Sequence, residues 1–253
     1  RDSRDFEQAV IMRIALDYAS KGWTAAVTVS DGVVRVVAIP ENGIEPKEYV
    51  LGLLQNRYLD DALPLLEALY GMLEDADIAY NYGICLSELG RIDESLKPLE
   101  RCIQLNHEYT NAYVGLGVAY SRLGRSEEAE RALREAIYQE PDNVYAKRNL
   151  AALLARSGKG EEALPLFRQA ASQAPNDPGS QIGLAQCLDG LGGDKRKEAD
   201  QVYADIVRLF ADHPVAEIAR MARNKIANAQ LHDTVDGAIR MDAVFYMQGA
   251  LDQ

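Results

Sequence analysis

An all-helical solenoid, built from helix pairs stacked in series, is the fold class this sequence predicts. Three observations carry it. First, Gly90, Gly124, Gly158 and Gly192 stand 34 residues apart. A glycine just past a helix is a common left-handed terminator, because it lacks the Cβ that resists positive φ. Second, each of these glycines is followed by residues suited to open a new helix: Asp93-Glu94-Ser95, Glu127-Glu128-Ala129, Glu161-Glu162-Ala163 and Lys197-Glu198-Ala199. Negative charge favours the amino-terminal end of a helix dipole. Third, small residues recur in register. Gly83, Gly117, Ala151 and Ala185 mark the first helix of each pair, and Ala62, Ser95, Ala129, Ala163 and Ala199 mark the second. Small residues on both sides are expected to let paired backbones approach closely. Self-similarity at a fixed period of this length is the mark of a repeat array.

The elements follow in order. Residues 5–20 place Phe6, Val10, Ile14 and Tyr18 at helical spacing, which predicts an amphipathic helix. Residues 27–39, VTVSDGVVRVVAI, read as a hairpin turning at Ser30-Asp31-Gly32 between β-branched runs. A lone hairpin is marginally stable. It is therefore expected to cap the open end of the array; the other reading is a pairing edge for another chain. The first helix pair spans 43–75 and is degenerate. Asn56 stands one interval before Gly90 and is expected to be its left-handed cap, followed by Asp60-Asp61-Ala62. That pair is read with one extra residue in its turn and one fewer before the next pair. Pairs follow at 76–109, 110–143, 144–177 and 178–213, the last with two extra residues around Gly192-Gly193-Asp194. Gly115 falls outside the recurring small set and is read as a thin spot on the inner face. After Pro214, residues 215–230 predict a helix carrying Ile218, Met221, Ala222 and Ile226. Residues 235–251 hold Ile239, Met241, Val244, Phe245, Met247 and Leu251, an apolar face that needs cover. The expected organisation is thus a cap at 1–42, the array at 43–213 and capping helices at 214–253.

The third pair carries Tyr113, Leu116, Gly117, Tyr120, Ala129, Leu133, Ala136 and Pro141, and the fourth repeats the set with Leu150, Leu154, Phe167, Ala170 and Pro175. This pattern resembles the tetratricopeptide repeat (TPR), over about two-thirds of the chain. The resemblance implies a right-handed α-solenoid of five repeats whose first helices line a concave groove. Carried across residue by residue, the groove positions are Asp77, Tyr80, Asn81, Ile84 and Ser87, then Asn111, Val114, Val118 and Ser121. The last two repeats give Tyr145, Arg148, Asn149 and Ala152, then Ile182, Gln186 and Asp189. Asparagine suits the backbone of an extended peptide, and tyrosine makes a rigid anchor. Chaperone-binding members resemble one another in a Lys, Asn, Asn, Lys, Arg clamp for a terminal carboxylate. Here those places hold Tyr80, Ile84, Gly115, Tyr145 and Asn149, or one repeat later Val114, Val118, Asn149, Gly179 and Gly183. One repeat earlier, Asn81 matches while Asn111 and Gly115 stand where the cations belong. The clamp is missing, so a chaperone tail is a poor candidate.

Composition excludes other classes. The net charge of −12 argues against a nucleic-acid binder, which needs clustered Lys and Arg. The densest basic run, Lys195-Arg196-Lys197, reads as a solvated loop. Cys85, Cys102 and Cys187 lack metal-type spacing and fit reduced thiols, which points to a cytoplasmic setting. No apolar run reaches the roughly 18 residues of a membrane span. His107, His213 and His232 have no partner at ligand spacing, so no metal site is expected. Gly115-Leu116-Gly117 lacks the third glycine of a dinucleotide fingerprint, and Ser157-Gly158-Lys159-Gly160 lacks a Walker glycine. No catalytic constellation or cofactor is expected.

The sequence therefore predicts a non-enzymatic adaptor that binds a peptide or helix of another protein in its groove. Because the chain begins at Arg1 rather than Met, a second reading makes it a substrate-presenting or regulatory part of a larger enzyme, such as a glycosyltransferase. A third is self-assembly through the hairpin or the end faces.

Overall fold

The computed structural model describes residues 3–20, 23–30, 33–40 and 46–229. Twelve helices run through them: α1 (Ser3–Ala19), α2 (Pro46–Gln55), α3 (Leu59–Met72), α4 (Ala76–Glu88), α5 (Ile92–Leu105), α6 (Thr110–Arg122), α7 (Ser126–Gln139), α8 (Val144–Arg156), α9 (Gly160–Gln173), α10 (Pro178–Leu191), α11 (Lys195–Leu209) and α12 (214–229). Two strands, β1 (Trp23–Ser30) and β2 (Val33–Pro40), pair antiparallel with Trp23 opposite Pro40 and Ser30 opposite Val33. The expected turn residues Asp31 and Gly32, the helix expected at 235–251, and His232 lie outside the described residues. By contacts the chain divides into two units, Arg1–Pro141 and Asp142–Gln253.

In the first unit, α1 packs on β1, and α3 packs on both strands. From α2 onward the helices pair and stack. Val50, Leu65, Leu66, Leu69, Ile78 and Cys85 join α2, α3 and α4 in one buried cluster. Leu96, Leu99, Leu116 and Ala119 join α5 to α6. The turns inside the pairs are built alike. Gly90 and Gly124 sit at φ 83° and 76°. That conformation lets Arg91 N donate back to Leu86 O, and Arg125 N to Tyr120 O, each at 2.9 Å.

The first pair departs from the expected register. The left-handed residue is Arg57, at φ 60°, not Asn56. Asn56 keeps the helical course, with its Nδ2 donating to Gly52 O at 2.8 Å. Tyr58 N then closes on Leu53 O at 2.9 Å, as Arg91 does on Leu86. The turn of this pair thus has ordinary length, and the missing residue lies between α3 and α4, where three residues separate the helices instead of the four between α5 and α6.

Glycine packing also differs from expectation in detail. A Cβ on Gly83 would lie 2.6 Å from Leu99 Cγ, and 3.2 Å from the backbone oxygen of Ser95. On Gly117 it would lie 2.5 Å from Leu133 Cγ. Each glycine chiefly makes room for a leucine of its partner helix, more than for backbone against backbone. Gly115 is not a thin spot on an open face: its Cβ would stand 3.2 Å from both Ile84 Cδ1 and Leu99 Cδ2. It is where Leu99, between α4 and α6, meets the following repeat.

In the second unit, α8 pairs with α9, and α10 with α11. Leu150, Leu154, Phe167, Leu188, Tyr203 and Ile206 are buried. Asn143 caps α8 by accepting from Ala146 N at 2.9 Å, and Asp177 caps α10 by accepting from Ser180 N at 2.8 Å. Lys147 is 5% exposed, and its ammonium donates to Gln173 Oε1 at 3.0 Å. The turn at Gly192 and Gly193 takes two positive-φ residues in a row, which accommodates the longer connection. On α12 the buried residues are Val215, Ala216, Ala219 and Ile226, whereas Ile218 and Met221, expected on the packed face, are exposed. On the same helix Arg223 forms an ion pair with Asp200 of α11 at 2.8 Å. Among the described residues no helix is long and apolar enough to cross a membrane.

Candidate functional site

The first helices of the pairs carry the expected groove residues, and the two units treat them differently. On α4, Asp77 accepts from Lys47 Nζ of α2 at 3.0 Å and from the Tyr109 hydroxyl at 3.1 Å. Burial, with Asp77 alongside, pushes the Tyr109 phenol well above its ordinary value, so it stays a donor. The Tyr80 ring packs 5.1 Å from that of Tyr109 and against the Ala79, Cys102 and Ala112 cluster. Ile84 packs against Leu99 and Leu116. Asn81 Nδ2 donates to Asp77 O at 2.8 Å. Tyr80 and Ile84 therefore join repeats together, contrary to the expectation of side chains turned into an open groove. Helices stacked in series must seal the seam between first helices, and bulky residues at those positions do it. Farther along, Asn111 on α6 is exposed, while Val114, Val118 and Ser121 are half-buried.

The second unit holds a cavity of roughly 610 Å³ between α8 and α10. Five of the expected residues, Arg148, Asn149, Ala152, Ile182 and Gln186, converge on it. Along α10 the lining residues are Gly179, Ile182, Gly183, Gln186, Cys187, Gly190 and Leu191, a single stripe at helical spacing. Phe167 of α9, only 3% exposed, forms the floor. Gly183 admits it, since a Cβ there would fall 2.3 Å from the Phe167 ring. Gly190 borders open space, with nothing within 4 Å of where its Cβ would be.

Arg148 is held in place from two sides. Its Nη1 lies 2.7 Å from Asp177 Oδ2, and its guanidinium stacks 5.1 Å from the ring centroid of Tyr145. Burial opposes ionisation of Asp177, but hydrogen bonds from Ser180 and Arg148 outweigh it and hold the carboxyl below its ordinary value. One carboxylate thus caps α10 and orients a cavity arginine. Tyr145 is exposed and lies outside the cavity lining. The sequence reading missed the part played by Gly179, Gly183, Gly190, Phe167 and Arg156. The glycines, four and seven residues apart on one helix face, were the signal that could have found it.

Burial pushes the Cys85 thiol up to about 11 and that of Cys102 to about 12, so neither is a nucleophile at neutral pH. Among the described residues no group of three or more His, Cys, Asp or Glu is placed to hold a metal ion.

Three models of the tetratricopeptide repeat match the chain, over residues 76–137, 114–178 and 154–222. The chain belongs to the tetratricopeptide-repeat family. Solved structures of TPR architecture resemble it at low identity. TTC0263, a thermophilic TPR protein of Thermus thermophilus, is 22% identical, with a TM-score of 0.58, covering 74% of this chain and 97% of its own. MamA from Desulfovibrio magneticus RS-1, residues 41 to the end, is 16% identical with a TM-score of 0.56, covering 67% and 95%. YrrB, described as a TPR protein with an unusual peptide-binding site, is 21% identical with a TM-score of 0.50, covering 67% and 90%. These likenesses establish the TPR fold. Among curated proteins none matches the chain.

Proposed function

We propose that this TPR protein is a non-enzymatic interaction scaffold whose first helices receive a peptide or helix of a partner protein. The observation that carries the reading is the cavity between α8 and α10, on which Arg148, Asn149, Ile182 and Gln186 converge. Its mixture of apolar walls and a few polar groups is the usual make-up of a recognition site. The peptide-binding site named for YrrB supports the same class of partner. The net charge of −12 disfavours nucleic acid. Three buried free thiols favour a reducing, cytoplasmic setting.

The test is capture of partners on immobilised chain, followed by calorimetric titration of each against variants. Asn111→Arg and Tyr145→Ala alter exposed residues on first helices, and Glu127→Lys alters the exposed start of a second helix. At least one first-helix variant should weaken binding by about 1–3 kcal/mol, with Glu127→Lys near neutral. Loss of binding in Glu127→Lys alone would move the partner to the other face.

A further inference from the structure

Helix α12 does not continue the pairing that built the array before it. Pro214 opens α12 as Pro178 opens α10, which sets the two helices in register. In that register the exposed Arg220 and Asn224 stand where α10 buries Leu184 and Leu188. Met221 stands where the earlier first helices have Gly83, Gly117, Ala151 and Ala185. At Gly83 and Gly117 that place admits a leucine of the paired helix. α12 therefore lacks what seats a second helix of its own. Residues 230–253 follow, outside the described residues. In sequence they carry Met241, Val244, Met247 and Leu251 at the spacing of one helix face, with Phe245 beside them. We infer that residues 239–251 lie as a helix along the cavity between α8 and α10 of their own chain, with the Phe245 side chain enclosed there. The inference goes beyond the scaffold reading and stands or falls apart from it.

Three observations favour this cavity. The first is where α12 ends. Lys225, Ile226 and Ala229 border one small depression together with Asp189 and Gly190 of α10, and Gly190 also lines the cavity. Residues 230–238 join Ala229 to Ile239 and span up to about 30 Å when extended, enough to reach it. So short a tether holds the segment near the cavity at roughly millimolar effective concentration. The second is length. Residues 239–251 run about 20 Å as a helix, close to the roughly 17 Å of lining from Gly190 back to Gly179 on α10. The third is the chemistry of the lining. Arg148 is paired with Asp177 and Arg156 is engaged as well, so neither calls for a charged occupant. The walls offer Phe167, Ile182, Leu191 and Ala152, and apolar surface buried against them supplies the stabilisation. Asn149 and Gln186 are two amides, too few to serve the backbone of an extended segment, whereas a helix satisfies its own. At roughly 610 Å³ the cavity has room for a phenylalanine side chain.

The experiment uses the full chain and hydrogen exchange read by mass spectrometry. Amides of 239–251 should exchange at least about 10-fold more slowly than those of an isolated 235–253 peptide. That protection should persist over about 100-fold dilution, because the contact lies within one chain. Gly190→Leu fills the cavity from a helix position bordering open space. It should abolish the protection while the helical circular dichroism of the array persists. Phe245→Asp acts from the other side of the contact and should do the same. Met221→Lys, on the exposed face of α12, should leave the protection intact. A parent without protection, or protection that survives Gly190→Leu or Phe245→Asp, overturns the inference. Protection that fades on dilution assigns the segment to a second copy and overturns it too. A labelled 235–253 peptide is then titrated by fluorescence anisotropy. It should bind the Phe245→Asp chain at least about 10-fold more tightly than the parent, whose own segment competes, and should not bind when Gly190→Leu is added. Equal affinity for parent and Phe245→Asp overturns the inference. None of these failures touches the scaffold reading, which Asn111→Arg and Tyr145→Ala decide against captured partners.

Discussion

Single residues decide the turns and the seams of this protein. Gly124 sits at φ 76° with open space around it, so a substitution there meets backbone strain and no clash. Gly124→Val should cost more than about 1 kcal/mol, because a β-branched residue resists the left-handed region. Urea denaturation reads the difference, and an unchanged midpoint would contradict the turn geometry. Gly52 tests the opposite sign. It lies within α2, at no positive φ, with nothing within 4 Å of an added Cβ. Gly52→Ala should therefore stabilise by about 0.5–1 kcal/mol, since alanine both favours the helix and restricts the unfolded chain. Gly83→Ala should destabilise by about 1–3 kcal/mol, because its Cβ would stand 2.6 Å from Leu99 Cγ in a packed interior. The three glycines thus differ in backbone conformation at Gly124, in open surroundings at Gly52 and in a tight leucine contact at Gly83.

At the scale of the element, α10 depends on Asp177. Its carboxyl ionises more readily in the folded chain than in the unfolded one, since Ser180 and Arg148 hold its charged form against the cost of burial. The sign follows from linkage. This contribution is fully present above the ordinary value of 3.8 and is lost as pH falls through the lowered folded value. Asp177→Asn should thus narrow the stability gap between pH 7 and acid relative to the parent, as urea midpoints across that range would show. An identical pH profile in the variant would remove Asp177 from the account. How far such elements could be read in advance depended on how local their causes were. Helix ends at Gly90, Gly124 and Gly158 were legible because a left-handed terminator is a property of one residue type at one place. Arg57 was not, because there the neighbouring Asn56 offered the commoner left-handed residue while its side chain bonded back to Gly52. The rotation of α12 was hidden too, since Ile218 and Met221 are as apolar as the residues that face inward. In the candidate site, the shared helix face of Arg148, Asn149 and Ala152, and that of Ile182 and Gln186, was legible from repeat register. The sealing role of Tyr80 and Ile84 was not, because register fixes a helix face without saying how close the next helix comes.

Over the whole molecule, the array's stability is expected to depend on each helix pair and its neighbours. The strands pack on α3, at the start of the helix pairs of the first unit. If they serve as a cap, a chain lacking residues 1–42 should unfold at lower urea and bind an apolar dye while the remaining helices persist. Unchanged unfolding would leave the hairpin free for another role, and light scattering of Val34→Lys would then test pairing between chains. The leucine of α5 bears on how such a protein can be recombined. Leu99 occupies the space left by Gly83 behind it and Gly115 ahead of it. Its neighbours on both sides are thus chosen for its shape. A shortened chain joining residue 109 directly to 144 would set Leu99 opposite Asn149, which holds the place of Gly115 in the next repeat. Crossovers at the 34-residue period are therefore not interchangeable. A cut that keeps Gly83, Leu99 and Gly115 on one parent preserves a fitted set, whereas the tidier cut between repeats breaks it.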